Sequence, residues 1–234
     1  MPASAQPRTN LLSPDKLPSQ YRATPWTSDD GLPQSNVDAL AQSTDGYVWA
    51  ATLAGVGRFD GVAFETISTR THPSLRSNNA NALAGDAAGA LWIGTSDGLA
   101  RLQPDGELAV FDTTHGLPSA SIFALAATDA QLWVGTEAGL CWSALSADVP
   151  AFTCRSEGLA DPYVGVLLPA TDADGRDGVW IGTGAGLAWF DGRSVTTYDH
   201  LGDNLAAPVL ALALDPQAPQ RLWVGGLDGL ARLD

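Results

Sequence analysis

Basic residues are scarce in this chain. Twelve Lys and Arg stand against 26 Asp and Glu, giving a formal net charge of −14 and a pI near 4.3. A surface that acidic repels phosphate backbones and anionic headgroups, which excludes nucleic acid as a main partner and disfavours membrane surfaces. Long hydrophobic runs are missing too. The longest, 206–214, contains Pro208 and stops at Asp215, well short of the roughly 18–20 residues that span a bilayer. This segment is expected to make no membrane contact.

Groups that carry chemistry are equally sparse. Two Cys and three His offer no zinc-ligand spacing, so no metal and no cofactor are expected. There is no Gly-x-Ser-x-Gly, and no Ser, His and Asp can be grouped into a catalytic set. Gly182-Thr183-Gly184-Ala185-Gly186 looks like a phosphate loop but lacks the helix that such a loop opens, and reads as turn chemistry. Asp45-Gly46 and Asp174-Gly175 lack the alternating oxygen ligands of a calcium loop. No apolar stripe of period 3.6 is long enough for a helix.

What remains is an apolar chain, 45% hydrophobic and 16% charged, which suffices for a sizeable core. It carries 25 Gly, 15 Pro and 8 Trp, a mixture that points to many turns around a recurring aromatic. The recurrence is regular. Trp49-Ala-Ala-Thr-Leu-Ala-Gly55, Trp92-Ile-Gly-Thr-Ser-Asp-Gly98, Trp133-Val-Gly-Thr-Glu-Ala-Gly139, Trp180-Ile-Gly-Thr-Gly-Ala-Gly186 and Trp223-Val-Gly-Gly-Leu-Asp-Gly229 align at steps of 43, 41, 47 and 43 residues. Within each unit, short β-prone runs alternate with Gly, Asp or Pro turns, as at Asp60-Gly61, Asp105-Gly106 and Asp191-Gly192. Four antiparallel strands per unit, repeated radially, predict an all-β fold: a β-propeller of five four-stranded blades.

The blades are expected at about 37–69, 80–113, 121–155, 163–199 and 208–234, after an extended segment 1–20. The last unit lacks a fourth strand. The run Tyr21–Thr27 reads as one, so either it completes blade 5 and closes the ring, or the chain is five blades of a larger, seven-bladed propeller. The repeated Trp is expected to fill the wedge between blades. The Gly two residues later (Gly94, Gly135, Gly182, Gly225) is expected to leave room for the neighbouring blade's ring.

The stretches Asp30-Gly31-Leu32-Pro33-Gln34-Ser35-Asn36-Val37, Gln42-Ser43-Thr44-Asp45-Gly46-Tyr47-Val48-Trp49 and Gly57-Arg58-Phe59-Asp60-Gly61-Val62-Ala63-Phe64 resemble the two-component regulator propeller repeat. Tyr21-Arg22-Ala23-Thr24-Pro25-Trp26-Thr27 resembles that family's lead-in. Two units depart from the pattern, with His72-Pro73-Ser74-Leu75 and Asp203-Asn204-Leu205 in place of Gly-Leu-Pro. The resemblance implies an extracytoplasmic, periplasmic sensor region of a bacterial membrane protein. Its output domain, a histidine kinase or a diguanylate cyclase, would lie outside these residues. The implied role is recognition of a small-molecule, saccharide or peptide ligand without turnover.

Two features bear on the compartment. Ala3-Ser4-Ala5 fits the small-residue tail of a secretory cleavage site, although no apolar stretch precedes it. Cys141 and Cys154 fall on the last two strands of blade 3. If Trp142 pairs with Thr153 they stand opposite each other, and a disulfide worth about 3 kcal/mol becomes possible. The alternative is two free buried thiols of a cytosolic protein.

One spatial expectation concerns the site. With strands lettered A to D outward, the D–A and B–C loops emerge on one rim of the disc. His72, His115 and His200 all lie in D–A loops, and Asp38 and Asn81 start strand A on the same rim, so this polar set is the candidate ligand site. Two other functions stay open: a streptogramin-lyase-like enzyme using one of these His as base, and a protein-interaction scaffold.

Overall fold

Glycine at the B–C turn sets the blade geometry. Gly55, Gly98, Gly139, Gly186 and Gly229 all have positive φ, from 111° to 146°. At Gly139 a Cβ would also stand 2.6 Å from the Arg155 carbonyl oxygen, so both conformation and space demand glycine. The Thr three residues earlier locks the turn: Thr52, Thr95, Thr136 and Thr183 each donate their hydroxyl to the carbonyl of that glycine at 2.7–2.9 Å. The Trp-x-Gly-Thr-x-x-Gly signature is thus a strand that ends in a side-chain-capped turn.

The computed structural model describes residues 19, 21–147, 149–172, 174–198 and 208–234. Its strands are β1 Ala39–Gln42, β2 Val48–Thr52, β3 Gly55–Phe59 and β4 Phe64–Ile67 in blade 1. Blade 2 has β5 Ala80–Gly85, β6 Leu91–Thr95, β7 Gly98–Leu102 and β8 Leu108–Phe111. Blade 3 has β9 Ile122–Ala127, β10 Gln131–Thr136, β11 Gly139–Ala144 and β12 Thr153–Arg155. Blade 4 has β13 Val164–Thr171, β14 Asp177–Thr183, β15 Gly186–Phe190 and β16 Val195–Tyr198. Blade 5 has β17 Val209–Asp215, β18 Ala218–Gly226 and β19 Gly229–Leu233. All pairings are antiparallel, between consecutive strands. The first strands of successive blades lie against one another in chain order, which places them innermost. No α-helix occurs among the described residues, and hence none long and apolar enough to cross a membrane.

The sheets of blades 2, 3 and 4 bury both faces against their neighbours, and the repeated Trp sits in these layers. Trp49 packs with Val56 and Ile67 of blade 1 against Leu83, Leu91 and Ile93 of blade 2. Trp92, Leu99 and Phe111 meet Ile122, Leu132 and Val134 of blade 3 in the same manner. Two indole N–H groups are capped from the A–B turn: Trp49 Nε1 donates to Ser43 Oγ and Trp92 Nε1 to Asp86 Oδ2, both at 2.9 Å. Buried apolar surface stabilises each interface at roughly 25 cal/mol per Å².

Two sequence expectations need correction. Residues 21–27 form no strand: they are irregular and lead into a single 3-10 turn at Ser28–Asp30, so among the described residues blade 5 has three strands and residues 21–27 do not close it. Trp26 instead packs on Phe59 of blade 1, with ring centroids 4.9 Å apart. A strand needs a partner edge, and among the described residues none stands beside this segment. The second correction concerns Gly94, Gly135 and Gly182. What approaches them is not a ring but a β-branched side chain of the next blade's first strand, Ile122, Val164 and Val209, within 2.6–2.8 Å of the position a Cβ would take. Gly225 has no such neighbour.

Candidate functional site

Nine residues after each repeated Trp, on strand C, stand Arg58, Arg101, Trp142, Trp189 and Arg232. Antiparallel pairing sets each of them directly opposite its strand-B Trp. In blades 1, 2 and 5 the guanidinium lies over aromatic rings: Arg58 is 3.7 Å from the Tyr47 centroid, Arg101 is 5.4 Å from Trp92 and Arg232 is 5.9 Å from Trp223. In blades 3 and 4 the partner is a second indole. Trp133 and Trp142 lie 5.9 Å apart and Trp180 and Trp189 lie 5.0 Å apart, with Tyr198 5.3 Å from Trp180.

The substitution changes the clefts between blades on the A–B rim. Between blades 1 and 2, Arg58 reaches out to Asp45 and Glu65, and the space left beside Ser43, Trp49 and His72 is about 130 Å³. Between blades 3 and 4 the cleft is about 670 Å³, lined by Trp133, Trp142, Thr128, Asp129, Gln131 and Asp177 with no basic side chain. Between blades 4 and 5 it is about 550 Å³, lined by Trp180, Trp189, Tyr198, Asp172, Arg176 and Gln220. Both are of ligand-binding size.

Charge in these clefts is partly tethered. Thr171 Oγ1 donates to Asp177 Oδ1 at 2.9 Å. Arg176 bridges Asp172 and Asp174, each at 2.8 Å. The Asp172 carboxyl is held below the usual carboxylate range by the Arg176 backbone N–H and then by its side chain, which in turn raises the guanidinium. The indole N–H groups of Trp133, Trp142, Trp180 and Trp189 have no hydrogen-bond partner among the described residues and are available to an incoming acceptor.

The residues singled out from the sequence lie elsewhere. Asn81 Nδ2 donates to the Ile122 carbonyl at 2.9 Å and ties blade 2 to blade 3. His115 belongs to a capped 3-10 turn, Thr113–His115, where its Nδ1 lies 2.9 Å from Asp112 Oδ1. His72 Nδ1 lies 3.1 Å from Thr71 Oγ1, and the ring borders the small cleft between blades 1 and 2. Asp38 is exposed and accepts from Asn36 Nδ2 at 3.3 Å. His200 falls outside the described residues. Asp38, Asn81 and His115 line none of the three clefts. The aromatic clefts were visible in the sequence as the Arg-to-Trp exchange nine residues after the repeat Trp.

Asp112 anchors its loop through several donors. It accepts from the Thr114 hydroxyl at 2.6 Å and the Thr114 N–H at 2.8 Å, and pairs with Arg76 from the preceding D–A loop. The Thr114 hydroxyl first, then His115 and the Thr114 N–H, hold its pKa far below the usual carboxylate range. A depressed folded pKa stabilises the fold at every pH above the unfolded value of about 4, and that stabilisation is lost as the pH falls through the folded value. Asp112→Asn is therefore expected to lower Tm at pH 7. The gap to wild type should shrink progressively below about pH 4 in thermal melts.

Residues 74–97 match the two-component regulator propeller family. No curated protein matches the chain in sequence. Among solved structures, the extracellular domain of a hybrid two-component system of B. thetaiotaomicron is 21% identical with a TM-score of 0.72, over 85% of this chain and 28% of that one. This chain thus spans less than a third of that domain. A catalytically inactive virginiamycin B lyase from Staphylococcus aureus with quinupristin is 13% identical at 0.66, over 86% and 66% of the two chains. A gluconolactonase from Xanthomonas campestris is 17% identical at 0.58, over 85% and 72%. At these identities the likeness is one of fold. The matched stretch begins at Ser74-Leu75, inside the unit that departs from Gly-Leu-Pro, and the buried Leu75 does there what Leu117 does in the next unit. Residues 74–97 thus match the two-component regulator propeller repeat, within a chain that carries five Trp-bearing units in register.

Proposed function

We propose that this chain is the ligand-recognising propeller of a bacterial signal-transduction protein, working outside the cytoplasm and without turnover of its own. The observation that carries the reading is the exchange of Arg for Trp on strand C of blades 3 and 4, which opens two indole-lined clefts. The regulator repeat and the Cys141–Cys154 disulfide support it, the latter because such bonds persist in oxidising compartments. Flat aromatic faces, unpartnered indole N–H donors and carboxylates suit an amphipathic ligand with an apolar face and polar edges, such as a saccharide or a short peptide. Both clefts lie between blades. A ligand seated there contacts two blades at once and favours one blade arrangement, and its differential affinity for the two states bounds the signal passed to an output kinase or cyclase.

A thermal-shift screen of saccharides, peptides and small metabolites tests this. A ligand at about 100 times its Kd should stabilise the wild type by about 2.7 kcal/mol. Trp142→Ala or Trp189→Ala should abolish most of that shift, while a protein with Asp38, Asn81 and His115 replaced by Ala keeps it. Loss of the shift only in the triple variant would move the site to the D–A rim. Time-dependent consumption of a stabilising compound would favour a lyase-like enzyme, the class named for one fold relative.

A further inference from the structure

Three blades show how this fold seats a cation of its own. Arg58, Arg101 and Arg232 each lie over the ring of the Trp opposite them, 5.6, 5.4 and 5.9 Å from the centroids of Trp49, Trp92 and Trp223. Blade 1 has the fullest set of partners. Its Arg58 guanidinium also stands 3.7 Å from the Tyr47 centroid and pairs with Asp45 at 3.9 Å and Glu65 at 3.2 Å. Aromatic faces and an A–B turn carboxylate together make a guanidinium seat. The side chain fills it, and about 130 Å³ is left beside it.

Blade 3 has the seat without the cation. Asp129 stands four residues before Trp133, as Asp45 does before Trp49, but position 142 holds Trp in place of Arg. Asp129 is exposed and has no hydrogen bond or ion pair among the described residues. Asp177, the first residue of β14, brings a second carboxylate to the same 670 Å³ cleft from blade 4. Trp133 is buried, so the ring offered to the cleft is that of the partly exposed Trp142, which packs on Phe190 at 4.9 Å. Arg155 stays outside the lining, 5.6 Å from the Phe190 centroid and donating to the Arg193 carbonyl at 2.7 Å. Blade 4 makes the same exchange at Trp189 but carries Arg176 four residues before Trp180, where it bridges Asp172 and Asp174. Of the five units, blade 3 alone lacks a basic residue at both positions.

We infer that the cleft between blades 3 and 4 takes a ligand bearing an organic cation, a guanidinium or alkylammonium group, which occupies the place of the missing strand-C arginine. This rests on the ligand-recognising reading of the clefts and adds the chemistry of one of them. The cation lies on the face of Trp142 and meets the Asp129 and Asp177 carboxylates. The rest of the molecule fills the width that a side chain anchored in the blade would close. Gln131 stands where blade 1 has Tyr47 and offers its amide to the polar part of the ligand. A carboxylate-lined cleft in a chain of net charge −14 also draws cations in and turns anions away. The cleft between blades 4 and 5 already holds Arg176 and is assigned no cation.

Nuclear magnetic resonance titration, read at the indole N–H signals, tests this with Nα-acetyl-arginine amide and its neutral counterpart Nα-acetyl-citrulline amide. The arginine compound is expected to shift the Trp142 signal saturably, and the citrulline compound to bind about tenfold more weakly. Trp142→Ala, read at Trp133, should weaken binding about tenfold, and Asp129→Asn about threefold. Trp142→Arg gives blade 3 the residue that blades 1, 2 and 5 carry, so it should fold and should exclude the probe. Tighter binding of the blocked arginine than of agmatine would place the cation on a peptide, and the reverse on a free amine. Equal binding of the citrulline compound, unchanged affinity in Trp142→Arg, or silence of the Trp142 indole to both cations would each overturn the inference. A saccharide that still shifts Trp142 in that event leaves the ligand-recognising reading standing without it.

Discussion

Replacing Gly135 with Ala is expected to destabilise the protein by about 3 kcal/mol, and replacing Gly225 with Ala to leave it unchanged or slightly more stable. Gly135 lies in β10, where an added Cβ would stand 2.6 Å from the Val164 carbonyl oxygen, 2.8 Å from Val164 Cγ1 and 2.9 Å from Ala124 Cβ. The nearest of these is backbone of the adjoining blade and cannot rotate away. Blades 3 and 4 must separate, or the strands must shift, at a cost in the upper range for overpacking. Gly225 occupies the same place in blade 5, yet its nearest neighbour is Ala211 Cβ at 3.5 Å, an ordinary contact within its own sheet. There the loss of glycine freedom in the unfolded chain favours Ala by about 0.4–1 kcal/mol. Urea unfolding of the two variants reads the difference directly. Equal costs at the two positions would remove inter-blade approach as the reason for these glycines.

Reduction of the Cys141–Cys154 bond, or its replacement by two Ser, is expected to lower stability by about 3 kcal/mol and Tm by about 6–12 °C. The two residues face each other across β11 and β12, with Cα atoms 4.1 Å apart and a separation of 13 positions in the chain. The bond pins a short outer strand, Thr153–Arg155, whose sheet partner is β11. Cys141 is fully buried beside Trp92 and Val134, so a broken bond also leaves a thiol inside the layer between blades 2 and 3. Calorimetry with and without reductant measures the loss. Thiol labelling in denaturant, without reductant, should find no free cysteine, and labelling of both would place the protein in a reducing compartment.

Some of the site was legible in the sequence and some was not. The pairing of Trp142 with Thr153 follows from the two β-prone runs on either side of the 145–152 loop, and with it the facing cysteines. His115 shows the opposite case. A histidine on a loop reads as a ligand group when its surroundings are unknown, yet in the fold its Nδ1 lies 2.9 Å from Asp112 Oδ1 and helps to cap a turn. Asn81 likewise spends its amide on the next blade's backbone. These are loop and strand-end roles set by neighbours about 40 residues away or by local capping, and composition does not reveal them. The Trp142 and Trp189 exchanges were written plainly in the repeat, but their consequence depends on the width of the cleft that an indole leaves where an arginine would reach across.

By itself the sequence determined the blade. Asp-Gly and Gly turns, a Trp at each second strand, and Thr set three residues before the turn glycine are local choices, and each acts within a few residues of its own position. The tertiary structure alone decided how the blades end. The motif at Trp26–Pro33 is the same as at Phe111–Pro118, but whether the preceding residues become a strand depends on an edge lying beside them. The position of blade 5 relative to blade 1 accumulates from four inter-blade rotations, and at three of them a side chain of the next blade, Ile122, Val164 or Val209, presses on a glycine. No short stretch of sequence encodes that sum, which is why Tyr21–Thr27 has the composition of a strand and not its conformation.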